Sequence, residues 1–291
     1  MKENKNIIIH IVLILISVAC LFPFILVLSS SLMSEQEFYE FGYSLVPRKI
    51  DFTAYMYILS NPKQILQSYG ITILSTALGT FLSVLIMILI AYPLSRQNFK
   101  YRKAINYIVI ITLLFSGGMS PSYILVTQYL KLTDTIWALI LPSLIAPFYI
   151  FLLRAFCSKI PTSLIESAKI DGANEFYILY KIIVPLAKPA IATVTFFMVL
   201  GKWNDWLNGL LYIRTASLLP LQTLLQRIMA EIAVLTTNLQ NMPAGLSQSA
   251  KIPENTVLMA MAVLASGPML FAFPFFQKYF VKGLTVGAIK G

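Results

Sequence analysis

The sequence predicts an all-α integral membrane protein with six transmembrane helices, and three observations predict it. Apolar residues make up 58% of the chain and charged residues only 12%, more apolar material than a soluble core of 291 residues can hide. They fall in six runs, each near the ~20 residues that cross about 30 Å of hydrocarbon as a helix. Lys and Arg lie between the runs and not on a clustered face, so the net charge of +10 points to loops beside anionic lipid. A nucleic-acid partner is not expected.

The runs cover residues 7–31, 69–93, 104–125, 135–156, 184–207 and 256–280. Lys2 and Lys5 precede the first, and Ser17-Val18-Ala19-Cys20 has the outline of a lipoprotein cleavage box. Ser17 stands where a leucine-like residue is usual, and the apolar run continues from Leu21 to Leu28. This run is expected to remain as a membrane helix. The third run is interrupted in its outer half by Gly117, Gly118 and Pro121, which predicts a kink or a break where backbone lines a cavity instead of lipid. The single histidine, His10, lies within the first run, and Cys20 and Cys157 stand far apart in or beside apolar runs. No disulfide, metal site or cofactor is expected from them.

Orientation follows from the basic residues. With the N-terminus inside, Lys2 and Lys5, the 94–103 loop with Arg96, Lys100, Arg102 and Lys103, and the next loop with Lys159, Lys169 and Lys181 are cytoplasmic, as are Lys278, Lys282 and Lys290. The outer side holds fewer, which predicts both termini in the cytoplasm of a multi-pass plasma-membrane protein. The outer loops are then 32–68, 126–134 and 208–255. In the last, Leu221, Leu224, Leu225, Ile228 and Ile232 recur at helical spacing with polar residues between them, predicting an amphipathic helix. The chain divides into residues 1–68, a first span with its outer loop, and a core of five spans over 69–291.

The most informative segment is the inner loop 158–185. Pro161 marks a turn, Ser163 and Glu166 have capping-box spacing, and Gly172 supplies a left-handed stop, so a helix of two or three turns is expected. A second helix starts at Asn174, with Phe176, Leu179, Tyr180 and Ile183 at helical spacing, and Pro185 and Pro189 follow. A short, capped, half-apolar helix at this face either docks on a partner or lies on the membrane surface.

Glu166-Ser167-Ala168, Gly172 and Ile182-Ile183-Val184-Pro185 resemble the EAA loop of permeases in binding-protein-dependent importers. Ser167 replaces the first alanine of that pattern and Val184 its leucine. Asp171 and the tail Val281–Gly291 resemble the carbohydrate branch, in particular the maltose-permease type. The resemblance implies the type I ABC importer permease fold with a cytoplasmic coupling helix, and a role in importing a sugar or oligosaccharide by alternating access. It also implies a second permease subunit in a heterodimer, two ATP-binding-cassette ATPase subunits and an extracytoplasmic solute-binding protein. In such importers the EAA helix sits in a groove of the ATPase. Carried over to this chain, Leu164, Ile165 and Ala168 form an apolar contact face, Glu166 a polar contact, and Asp171, Gly172 and Pro185 the frame of the lever. Glu166 has a second reading in which it only completes the capping box.

At the outer end of the fifth run stands Lys202-Trp203-Asn204-Asp205-Trp206-Leu207-Asn208. Aromatic faces with amide and carboxylate neighbours suit sugar recognition, which makes Trp203, Asn204, Asp205, Trp206 and Asn208 candidates for the substrate pathway. The same residues also read as an interfacial belt, with Lys202 and Asp205 pairing on one helical face. An intramembrane enzyme is disfavoured by the absence of a nucleophile–base pair, paired intramembrane aspartates or a phosphate-binding G-x-x-x-x-G-K-[ST] loop, and the chain is not expected to hydrolyse ATP itself. The alternative reading is a permease of the same superfamily for a non-sugar solute, or a channel or scaffold.

Overall fold

The structure, a computed structural model, describes residues 2–240 and 253–288. The middle of the expected outer loop and the last three residues of the tail lie outside the described residues. Fifteen α-helices are described: α1 (Lys2–Ser30), α2 (Glu35–Phe41), α3 (Thr53–Ile58), α4 (Pro62–Ser95), α5 (Arg102–Leu114), α6 (Met119–Ile124), α7 (Ile136–Ile140), α8 (Pro147–Cys157), α9 (Thr162–Ile170), α10 (Glu175–Ile178), α11 (Val184–Leu186), α12 (Lys188–Trp203), α13 (Leu207–Tyr212), α14 (Leu221–Gln240) and α15 (Glu254–Ala288). Three are long and apolar enough to cross a membrane: Ile9–Ser30 within α1, α4, and Glu254–Gln277 within α15. By length and composition the number rises to at most six if each of three bent pairs, α5 with Met119–Tyr129, α8 with α9, and Glu175–Leu186 with α12, is counted as one span.

The bends have chemical causes. In the third run α5 and α6 meet at 112°, and the break falls where the sequence predicts it, with Gly118 at φ 83°. The fourth run differs from expectation: it is not one helix over 135–156 but α7 and α8 separated by residues 141–146. Pro142 and Pro147 lack the amide hydrogen that would continue the ladder, and Ala146, before Pro147, is pushed to extended backbone at φ −113°, ψ 106°. Such a break leaves carbonyls without helical partners, and one of them, on Ser143, is satisfied by Lys202.

The chain forms two compact units, Met1–Ile65 with Leu224–Pro268, and Leu66–Thr223 with Met269–Gly291. In the first, Ser34 caps α2 and Glu35 grips the start of α15. One Glu35 oxygen accepts from Asn255 N (3.0 Å) and Nδ2 (2.9 Å), the other from Thr256 N (2.9 Å) and Oγ1 (2.8 Å). A carboxylate on the unpaired amides of a helix start is favoured by their partial positive charge.

In the second unit, α4 contributes Met87, Ala91 and Leu94 to a core shared with Ile150, Leu153 and Cys157 of α8 and with Val194 and Met198 of α12. Ile165 and Ala168 of α9 and Ile178 of α10 join the same core, so the 158–185 loop is packed onto the helix ends. The predicted amphipathic helix is present as α14, with Leu221, Leu224, Leu225 and Ile232 buried.

Candidate functional site

The 158–185 loop is built from two short helices and a sharp stop between them. α9 begins directly after Pro161, whose backbone (φ −55°, ψ 130°) sets the chain for a helix start, and no side chain caps it. The expected capping box is therefore absent: Ser163 lies inside the first turn, because proline starts the helix two residues earlier than the Ser163 pattern does. Glu166 is thereby released from that role. It is exposed, and no hydrogen bond or ion pair involves it among the described residues.

The end of α9 matches expectation in detail. Gly172 holds φ 81°, its N–H donates to the Lys169 carbonyl (3.0 Å), and Ala173 N–H donates to the Ala168 carbonyl (2.9 Å). This is a Schellman stop, in which a residue without Cβ takes the left-handed position. Asn174 then caps α10, its Oδ1 accepting from Tyr177 N at 2.8 Å. A π-helical turn over Leu179–Ile183 follows, and Pro185 and Pro189, unable to donate, divide α11 from α12 at Ala187. The chain bends there by 81°.

The faces of α9 are divided differently from the sequence reading. Ile165 (3% exposed) and Ala168 (8%) point into the core, while Leu164 (45%) and Ile170 (86%) face outward together with Glu166 and Asp171. The resemblance implied that Leu164, Ile165 and Ala168 together face a partner; the chain's own core takes Ile165 and Ala168, and Leu164 remains outward. Burying an isoleucine contributes about 1.5–3 kcal/mol, so Ile165 anchors α9 to the body. Pro185 is exposed at the far end of the loop.

A polar connection runs beside this anchor. Glu175 Oε1 lies 2.6 Å from Lys169 Nζ, and Glu175 Oε2 accepts from the Tyr92 hydroxyl at 2.5 Å. The ion pair is roughly half exposed, and such pairs contribute about 0–1 kcal/mol, less than the Ile165 anchor. Arg96 stands over the Tyr92 ring, its Cζ 5.3 Å from the centroid. A cavity of about 500 Å³ opens beside these groups, walled on one side by the end of α4 (Leu89, Pro93) and on the other by Thr162, Ile165 and Glu166 of α9.

The polar groups at 203–208 are largely engaged within the chain. Trp203 is buried, with its ring centroid 6.5 Å from that of Tyr69. Asn204 Nδ2 donates to the Leu200 carbonyl (2.9 Å), and the Trp206 carbonyl accepts from Thr223 Oγ1 (3.0 Å). Asp205 does not pair with Lys202 by direct contact: its carboxylate accepts from the backbone and side chain of Asn208, and Lys202 turns inward to donate to Ser143 O (3.2 Å) and Oγ (2.9 Å). Its stem lies along α4, where a Cβ on Gly79 would sit 3.0 Å from Lys202 Cδ. Sequence reasoning missed Ser143, Tyr92 and Glu175, because each acts through a partner distant in the chain or across a turn.

The profile of the family described as "Binding-protein-dependent transport system inner membrane component" matches residues 52–286. The chain belongs to this family. Similar proteins include the polygalacturonan/rhamnogalacturonan transport system permease protein YtcP of Bacillus subtilis, 38% identical over 282 residues, covering 96% of each chain. Another is the trehalose/maltose transport system permease protein MalG of Thermococcus litoralis, 31% identical over 303 residues and 100% of each chain. Among solved structures, a chain of a bacterial ABC transporter involved in the import of the acidic polysaccharide alginate superposes with a TM-score of 0.78 at 29% identity, over 96% of this chain and 97% of that one. The fold is thus that of a type I ABC importer permease, and the protein is a transport component of the membrane and not an enzyme.

Proposed function

We propose that this chain is one of two permease subunits of an ATP-driven importer that moves a sugar or oligosaccharide into the cell. The family supplies the dependence on a solute-binding protein. The saccharides named for YtcP, for the Thermococcus permease and for the alginate importer support the substrate class. The observation that carries the coupling mechanism is α9: it is anchored from behind by Ile165 and Ala168, stopped sharply at Gly172, and presents Leu164, Glu166, Ile170 and Asp171 outward. That surface is read as the docking face for a separate ATPase, with the loop in the cytoplasm and both termini on the same side. ATP-driven closure of the ATPase pair displaces α9, and the helices packed on it switch the solute path from one side of the membrane to the other. At the other polar segment, Asn204 and Trp206 are the exposed members of the candidate set and the groups proposed to face a solute path, while Trp203 acts as a packing residue.

The test is reconstitution of the chain with its second permease, ATPase and binding protein, followed by ATPase and uptake assays across a panel of neutral and acidic oligosaccharides. The reading expects solute-stimulated hydrolysis with at least one saccharide, and none from this subunit alone. Stimulation by amino acids or ions but by no saccharide contradicts the substrate class.

A further inference from the structure

Between Asp171 and Asn174 the backbone of the loop turns through the Schellman stop, so α9 is not continuous with α10 or with the membrane segment beyond it. Nor does close packing fix α9 against α4 along its whole length, because a cavity of about 500 Å³ is lined by part of α9 and by the end of α4. Ile165 and Ala168 hold α9 by two neighbouring points on one face, and about such an anchor a two-turn helix can pivot. Something must fix the remaining direction if a push on α9 is to reach α4.

We infer that Glu175 is a positioning residue for transport: its carboxylate braces α9, through Lys169, against α4, through Tyr92, so that a displacement of α9 carries α4 with it. This rests on the coupling role proposed above for α9. The two oxygens are divided between the two helices, Oε1 at 2.6 Å from Lys169 Nζ and Oε2 at 2.5 Å from the Tyr92 hydroxyl. Glu175 is also the first residue of α10, fixed in place by the Asn174 cap, so the brace ties three helices at one carboxylate. Tyr92 lies in the same apolar core as Ile165, and the brace and the anchor therefore join α9 to α4 at separate points, which prevents pivoting. Lys169, Tyr92 and Glu175 all line the cavity, so the brace stands at the gap that packing leaves open. A carboxylate suits the position because it accepts from an ammonium and a phenol at once, and the charge shortens and strengthens both bonds.

The brace makes transport and hydrolysis separable. Tyr92→Phe removes the α4 arm without changing side-chain shape, and Glu175→Gln removes the ion pair with Lys169. Both are tested in the complete importer in liposomes, measuring ATP hydrolysed, solute moved and the ATPase retained on co-purification. Hydrolysis should stay near the wild-type rate while solute moved per ATP falls about five-fold or more, in the range of coupling between sites. The double variant should be little worse than either single one, since both cut the same connection. An unchanged ratio in both variants overturns the brace. So does a parallel fall of both rates, which indicates lost docking alone, and so does loss of the ATPase from both variant complexes, which indicates a purely structural role. A wild-type importer that moves no solute overturns the import reading itself; a wild type that transports while both variants keep its ratio overturns the brace alone.

Discussion

At the turn 203–208 polar side chains are taken up by the chain itself. Asp205 is held by Asn208, Asn204 by the end of α12, and the neighbouring Lys202 by the backbone that the 141–146 break sets free. In the loop 158–185 the polar groups behave otherwise: Glu166 and Asp171 remain exposed, Lys169 and Glu175 bridge separate helices, and a cavity lies beside them. Both segments stand at ends of apolar helices and both look polar in the sequence. The difference lies in where the hydrogen bonds go. A segment whose polar groups are satisfied locally serves as a joint, whereas outward charges on a helix anchored from behind are what the proposed coupling role requires.

The largest expected effect tests the loop. Gly172→Val has open space around its Cβ position but must adopt φ 81°, so the cost is conformational, about 1–2 kcal/mol or more, and the stop is redirected. Transport should be abolished while the protein still inserts in the membrane, measured by uptake and by membrane fractionation. Normal transport by this variant would mean that the aim of α9 does not matter. At the joint the expected effect is on stability and not on coupling. Lys202→Ala leaves the Ser143 carbonyl without its donor in a part-buried site, which costs about 0.5–1.5 kcal/mol, and should lower the thermal unfolding temperature in detergent. Solute moved per ATP should stay at the wild-type value in the folded fraction.

How much of this contrast the sequence carried depends on the distance over which each feature is decided. The long helices of the first, second and sixth runs, the break at Gly117–Gly118, the Gly172 stop and the Asn174 cap rest on composition or on residues within a turn of each other, and the structure has them. The break at 141–146 was hidden because Leu141, Leu144 and Ile145 keep the run apolar around Pro142, and hydropathy averages over a single proline. The division of α9 into a buried pair, Ile165 and Ala168, and an outward Leu164 was not legible because a motif shared with a family does not say which of its apolar residues the chain's own core covers. Lys202 with Ser143 and Tyr92 with Glu175 join positions far apart in the sequence, and no local pattern announces either pair.

Smaller effects sharpen the comparison. Glu166→Ala removes an exposed carboxylate with no hydrogen bond among the described residues, so stability should not change while transport falls severalfold; an unfolding temperature lowered as far as that of Lys202→Ala would place Glu166 among the structural groups. The smallest effect belongs to Asp134, in the turn before α7. Its Oδ1 accepts from Thr215 N (2.9 Å) and Arg214 N (2.6 Å), and these bonds hold its pKa below the ordinary aspartate value. A depressed carboxylate contributes stability that is complete above its unfolded-state pKa and is lost as pH falls through the folded value. Asp134→Asn should therefore leave the unfolding temperature nearly unchanged in its pH dependence from neutral down to mildly acidic conditions, and should flatten the decline of the wild type only at lower pH.

The central claim, that the outward face of α9 meets the ATPase, is tested most directly by cross-linking. With Cys20 and Cys157 replaced, a single cysteine is placed at Ile170, 86% exposed, or at Ile165, 3% exposed, in the assembled importer. The account predicts that a short thiol-reactive cross-linker joins position 170 to the ATPase subunit and leaves position 165 unreacted. A cysteine at 170 that is reached by a lipid-phase probe and never cross-links to the ATPase would contradict it, and would place α9 on the membrane surface instead.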